Sequence, residues 1–187
     1  MIIISINPVA LTIGSVEIRW YGILVALAVL TVVLWVLREV RKGANLSYDT
    51  VFTAALVGIP SAIIISKLLH VVDNIVVAKL HPELVLIGSV VDYTQHPELI
   101  FSGGGLTAWG AILGAALGIW IYSRFTKLQF GFFADVTAPG IILAQAVGRV
   151  GCTINGCCYG TETSLPCAIV YTHPESYSPL GTAVYPI

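Results

Sequence analysis

Charge is what this sequence has least of. Asp, Glu, Lys and Arg make up 10% of its 187 residues, where a soluble domain carries about 25%. A chain that is 57% hydrophobic, with a mean hydropathy of +0.90, cannot clothe a water-facing surface with so few charges, so an integral membrane protein is expected. Basic clusters are missing as well. Nine Lys and Arg against ten Asp and Glu give a net charge of −1, which leaves nothing to neutralise a run of phosphates and excludes nucleic acid as a partner. No Lys or Arg precedes Arg19, and no small-residue cleavage site follows a short apolar core, so a removable signal peptide is not expected. Cys-x-x-Cys spacing is absent among the four cysteines, which weighs against dithiol redox chemistry. Internal repeats, heptads and low-complexity runs are absent too.

Long apolar windows are present in their place. Residues 20–37, 50–72, 104–122 and 133–150 are each apolar enough to cross roughly 30 Å of hydrocarbon, a distance that needs about 20 helical residues. The expected fold is therefore an all-α membrane protein of about four transmembrane helices in a single domain over residues 1–187. Arg38, Arg41 and Lys42 follow the first window, and Arg124 and Lys127 follow the third. Short loops rich in Lys and Arg face the cytoplasm, which places the amino terminus outside. The 73–101 connection, with Asp73, Glu83, Asp92 and Glu98 against Lys79, then reads as an extracytoplasmic loop or amphipathic arm, and residues 151–187 as an extracytoplasmic tail. Residues 1–18 are apolar but broken by Asn7, Pro8 and Gly14, which predicts an interfacial or re-entrant segment. Gly110, Gly114 and Gly118 recur every fourth residue, a spacing that lets another helix backbone approach closely.

Ionisable groups at membrane depth are costly without partners and mark function. Lys67, Asp135 and Arg149 qualify. Asp135, near the start of the fourth window, also suits the positive end of a helix dipole, and Lys67, near the outer end of the second, can snorkel to headgroups. Arg149 stands apart because Gly148, Gly151, Gly156 and Gly160 surround it. Glycines admit an oxygen ligand close to the backbone, and a guanidinium grips phosphate with two parallel charge-assisted bonds. Together they predict an anion site at the membrane surface.

These residues carry a resemblance. The chain resembles the prolipoprotein diacylglyceryl transferases, whose signature Gly-Arg-x-Gly-Asn-Phe-x-Asn-Gly-Glu-x-x-Gly is met in order by Gly148, Arg149, Gly151, Asn155, Gly156 and Gly160. The family's Trp-Tyr-Gly block is present as Trp20-Tyr21-Gly22, and its Gly-Gly-x-x-x-His-Gly-x-x-x-Gly block in part, through Gly104, Gly105, Gly110 and Gly114. The resemblance implies transfer of a diacylglyceryl group from phosphatidylglycerol to the cysteine thiol of a prolipoprotein signal-peptide junction, in a bacterial inner membrane and without cofactor or metal. By the same token Arg149 would bind phosphate, Asn155 would donate to phosphate or ester, and Tyr21 would line the headgroup pocket. Gly104, Gly105, Gly151, Gly160 and Lys67 would complete the substrate site.

The sequence departs from the family at several places. Trp109 stands where the family has the histidine cast as general base, Cys152 replaces an Asn, Cys157 replaces the Glu, and Lys67 stands for an Arg. An indole accepts no proton, which leaves Tyr21, Tyr185, His173 or water as candidates for the base. The run ending at Val184-Tyr185-Pro186-Ile187 stops where the family continues into further spans, so a fragment or an N-terminal half is expected. Two other functions stay open, an inactive lipid-binding or assembly module and a membrane thiol oxidoreductase built on Cys152, Cys157, Cys158 and Cys167. A structural disulfide among those four is expected, with its pairing undecided, ahead of free thiols or a zinc site that includes His173.

Overall fold

The computed structural model describes residues 1–14, 16–81, 93–94 and 105–186. Most of them are helical: α1 (Trp20–Arg41), α2 (Tyr48–Leu80), α3 (Ala108–Phe125) and α4 (Phe130–Asn155). Three helices, α1, α2 and α4, are long and apolar enough to cross a membrane. Their apolar side chains face outward rather than into a core, with Leu56 75%, Ile64 64% and Ile142 70% exposed. In water such faces would cost about 25 cal/mol per Å², whereas in lipid they cost nothing. Gly104, most of the expected arm over 73–101 and the closing Ile187 lie outside the described residues.

Helix ends differ from the hydropathy windows for local reasons. Ser47 caps α2 by accepting from the Thr50 amide at 3.1 Å, and no breaker follows Val72 until His81-Pro82, so the helix runs on to Leu80. Lys67 consequently lies about 3.6 turns from the end of α2. Helix α4 starts at Phe130, which leaves Asp135 outside its first turn and takes away the dipole argument for that carboxylate.

The all-helical expectation fails at both termini of the chain. Residues 1–18, expected to be interfacial or re-entrant, form β1 (Ile2–Ile4), β2 (Val9–Ile13) and most of β3 (Val16–Arg19). The tail forms β4 (Tyr159–Glu162), β5 (Ile169–Tyr171) and β6 (Ala183–Pro186). A four-stranded sheet runs β1-β5-β6-β4, with β1 parallel to β5 and the other neighbours antiparallel, while β2 and β3 pair as a separate antiparallel hairpin. The Ile-rich first strand suits a pleated surface. Its partner is so distant in sequence that no local pattern shows the pairing.

The chain divides into two compact units. The first, Met1–Ala44 with Ala134–Ile187, holds α1, most of α4 and both sheets. Here α1 and α4 are antiparallel: the Trp35 indole N–H donates to the Val136 carbonyl at 3.1 Å and its ring covers Gly140, while Leu24 and Tyr21 cover Gly151. The second unit, Asn45–Phe133, is built on α2 and α3. Gly110 meets the backbone of Ser66, Gly114 meets Ala62 and the Ser61 carbonyl, and Gly118 meets the Ser61 side chain. The three glycines are buried, so the spacing seen in sequence is a helix-packing seam. Ser66 and Thr107 close its end reciprocally, Ser66 Oγ donating to the Thr107 carbonyl at 2.7 Å and Thr107 Oγ1 to the Ser66 carbonyl at 3.2 Å.

Candidate functional site

In the first unit the expected site residues gather where α1 begins and α4 ends. Gly151 is buried, and a Cβ on it would lie 3.2 Å from Leu24 Cβ and 3.5 Å from Tyr21 Cδ2, so the glycine admits the Tyr21 ring against the α4 backbone. Asn155, one turn later on the same face, is 5% exposed, and its Oδ1 has no hydrogen-bond partner. Gly160 lies just beyond, in β4.

Arg149 belongs to the same turns but to another face. Residues two apart on a helix do not face each other, so with Gly151 turned to α1, Arg149 is turned outward and is exposed. Among the described residues no carboxylate or carbonyl meets its guanidinium. Arg19 is partnered by Glu175 at 3.4 Å, Arg38 by Glu39 at 3.7 Å, and Arg124 lies over the Trp120 ring, whereas Arg41, like Arg149, meets no anion among the described residues.

The end of α4 is a glycine cap. Gly156 adopts φ +68 and the Cys157 amide reaches back to the Cys152 carbonyl at 3.3 Å, the pattern of a Schellman turn. A side chain at Gly156 would also run into Ser176. By folding the chain back, the cap sets Cys157 and Cys158 over Cys152, and the three Sγ atoms lie within 4.8 Å of one another. All four cysteines are free thiols, against the expected disulfide. Cys157 and Cys158 have their sulfurs 3.9 Å apart, where a bond needs about 2.05 Å. Burial pushes the Cys157 thiol above its ordinary pKa, and Cys158 beside it adds to the rise, while the Asn155 amide pulls the other way. Burial also raises Tyr171, with the charges of Cys157, Cys158 and Cys152 adding to it.

The second unit holds the other expected residues, Lys67 and Gly105. Lys67 Nζ sits 5.9 Å from the centre of the Tyr93 ring. Gly105 has φ +88 and lies against the His70 imidazole, so a side chain there would meet the ring whatever its rotamer. His70 packs edge-on to Tyr93 at 6.1 Å, and Asn74 donates to the His70 carbonyl at 2.9 Å. The sequence reading missed His70. The signal was an imidazole inside the 50–72 window, three residues after Lys67 and hence on the same helix face. Trp109 is 76% exposed at the start of α3. Of the other expected bases, Tyr185 is 45% exposed in β6, and His173 Nδ1 already accepts from the Glu175 amide at 3.2 Å. A cavity of about 280 Å³, lined among others by Ser47, Thr50, Tyr122 and Lys127, contains none of the expected site residues.

The family model described as prolipoprotein diacylglyceryl transferase matches residues 8–186. A protein of Dehalococcoides mccartyi named phosphatidylglycerol--prolipoprotein diacylglyceryl transferase is 46% identical over 183 residues, 98% of this chain and 65% of its own length. Proteins of the same name from Clostridium tetani and from Listeria monocytogenes are 31% and 33% identical, over 96% and 85% of this chain and 66% and 52% of their own lengths. The chain thus spans a little under two thirds of the length of these curated relatives from Dehalococcoides mccartyi and Clostridium tetani.

Proposed function

The chain belongs to the prolipoprotein diacylglyceryl transferase family, and from that premise we propose that it moves a diacylglyceryl group from phosphatidylglycerol to the cysteine thiol of a prolipoprotein signal peptide. A carbon–sulfur bond forms as the glyceryl carbon–oxygen bond to phosphate breaks. Glycerol phosphate leaves, and the thiol proton passes to a base. The observation that carries this reading is Arg149, a guanidinium exposed on an apolar helix with no protein anion against it among the described residues. A cation in that setting needs its counter-anion from elsewhere, and a phospholipid headgroup supplies one.

The other roles follow from the surroundings. Asn155 and Tyr21 border the Gly151 contact and would hold the headgroup or the ester, with Gly160 beyond them. Lys67 and Gly105, in the second unit, are separate candidates for substrate binding. Trp109 cannot accept a proton, and within the second unit the candidate proton acceptor is His70, the imidazole against Gly105. The membrane is the bacterial inner membrane, crossed four times, with α3 as the short span: 18 residues reach about 27 Å. The amino terminus and the tail share the outer side, as the antiparallel α1 and α4 allow.

Vesicle reconstitution of the full chain tests the proposal. With phosphatidylglycerol and a lipobox peptide, the peptide should gain the mass of a diacylglyceryl group, and with phosphatidylcholine alone it should not. Headgroup-selective binding without any transfer would return the chain to the lipid-binding module and refute the enzyme.

A further inference from the structure

The sulfur cluster at the cap of α4 has no part in the transfer just described. Three thiols converge there from two segments, Cys152 on the last turns of the helix and Cys157 with Cys158 immediately after it. Cys167 is outside the group. From this geometry we propose that Cys152, Cys157 and Cys158 form a binding site for one thiophilic d10 cation, Zn(II) or Cu(I).

Four observations support it. Three sulfurs around Zn(II), each at about 2.3 Å in tetrahedral geometry, stand about 3.8 Å apart. Cys157 and Cys158 are already 3.9 Å apart and no pair in the group exceeds 4.8 Å, so a small closure of the loop completes the set. Helix polarity has the right sign, because the carbonyl end of α4 favours a cation. The Schellman cap holds the loop in place, since Gly156 is the residue whose positive φ returns the chain over Cys152. Finally, Asn155, two residues before Cys157, is only 5% exposed, and its Oδ1 is left without a donor. A buried acceptor with no donor is costly, and a cation, or a water bound to it, removes that cost.

The reaction is simple ligand exchange. Each thiol that binds loses its proton to solvent, so a full set releases three protons per cation and no electrons move. With Zn(II) the product carries one negative charge and takes a neutral fourth ligand, whereas Cu(I) is satisfied by the three thiolates and carries two. Charge is costly at the edge of a low-dielectric layer, so Zn(II) is the favoured occupant.

The test uses the purified full chain in detergent, reduced and kept free of oxygen. Zn(II) alone is titrated against a chromophoric chelator, Cu(I) against a copper-selective one, and Co(II) serves as a spectroscopic substitute for zinc. The expected result is one equivalent per chain, proton release on binding, and a thiolate-to-cobalt charge-transfer band. Removing a ligand's supporting partner weakens metal sites by up to about 100-fold, so Cys157→Ser and Cys158→Ser should each weaken binding at least that much while Cys167→Ser leaves it unchanged. Two results overturn the proposal: no charge-transfer band and no competition by the folded wild-type chain, or equal affinity in the Cys157→Ser/Cys158→Ser double variant. The wild-type titration decides the matter even if a variant fails to fold.

Discussion

Replacing Arg149 by Lys asks whether a forked guanidinium, rather than mere positive charge, holds the lipid phosphate. Lys keeps the charge and loses one of two parallel hydrogen bonds. A hydrogen bond to a charged group contributes about 1.5–3 kcal/mol, and 1.36 kcal/mol is tenfold in rate. Arg149 is exposed, so solvent screening puts the loss at the lower end, about tenfold in kcat/KM for Arg149→Lys. Arg149→Ala loses both bonds and should fall about 100-fold. The carbonyl end of α4 disfavours an anion by about 0.3–1 kcal/mol, but that cost is common to all three proteins and cancels from the ratios. Initial rates of lipobox-peptide modification in phosphatidylglycerol vesicles, read by mass spectrometry, measure the effect, with circular dichroism as a control for folding. Arg149→Lys at the wild-type rate would refute the fork, and Arg149→Ala at that rate would refute the site.

Further outcomes follow from the packing and the thiols. His70→Gln keeps hydrogen bonding and removes proton acceptance, so kcat should fall by about 10²–10⁴; an unchanged pH–rate profile would show that the base is elsewhere. Gly114→Leu forces a side chain into the backbone of Ser61 and Ala62 and should cost about 1–3 kcal/mol, seen as a lower midpoint of thermal unfolding in detergent, while Gly131→Ala, with nothing within 4 Å of the added Cβ, should leave that midpoint unchanged or slightly raised. In metal-free, reduced chain the raised pKa of Cys157 means less thiolate at a given pH. Its alkylation should therefore turn on at higher pH than that of free cysteine, as followed by peptide mass spectrometry, and an equal or lower inflection would contradict burial as the cause.

The hydropathy windows located the cores of α1, α2 and α4 because a span of lipid-facing residues is a local property, written in composition alone. Helix ends were less legible. Val72 looked like a boundary because Asp73 and Asn74 follow it, yet two polar residues do not stop a helix that meets no proline between Val72 and Pro82. Gly148 and Gly151 suggested room for an oxygen ligand beside Arg149, but inside α4 the second of them serves a close approach to Leu24 and Tyr21, which no spacing rule reveals. The strands were invisible for another reason. Ile2-Ile3-Ile4 suits an interface, a helix or a sheet equally, and its register with Ile169-Val170-Tyr171 exists only once α1 and α4 have brought the two termini together.

The site itself was half legible. Matching Arg149, Asn155 and Tyr21 to a family pattern placed them at one end of one unit, but the pattern is blind to helix phase, and phase turns Arg149 outward while Gly151 turns in. The same blindness hid His70 behind Lys67. It also made Cys152, Cys157 and Cys158 look like losses from the family motif. Cap geometry gives them a different meaning: a positive φ at Gly156 reverses the chain within a single turn and stacks three sulfurs over the carbonyl end of α4, where cations are stabilised and anions are not. An anion at this end of the helix therefore depends on Arg149, whereas a cation is favoured by the helix itself. The two ligands call for different side chains, so loss of the guanidinium should weaken phosphate binding about 100-fold while leaving the thiol site intact.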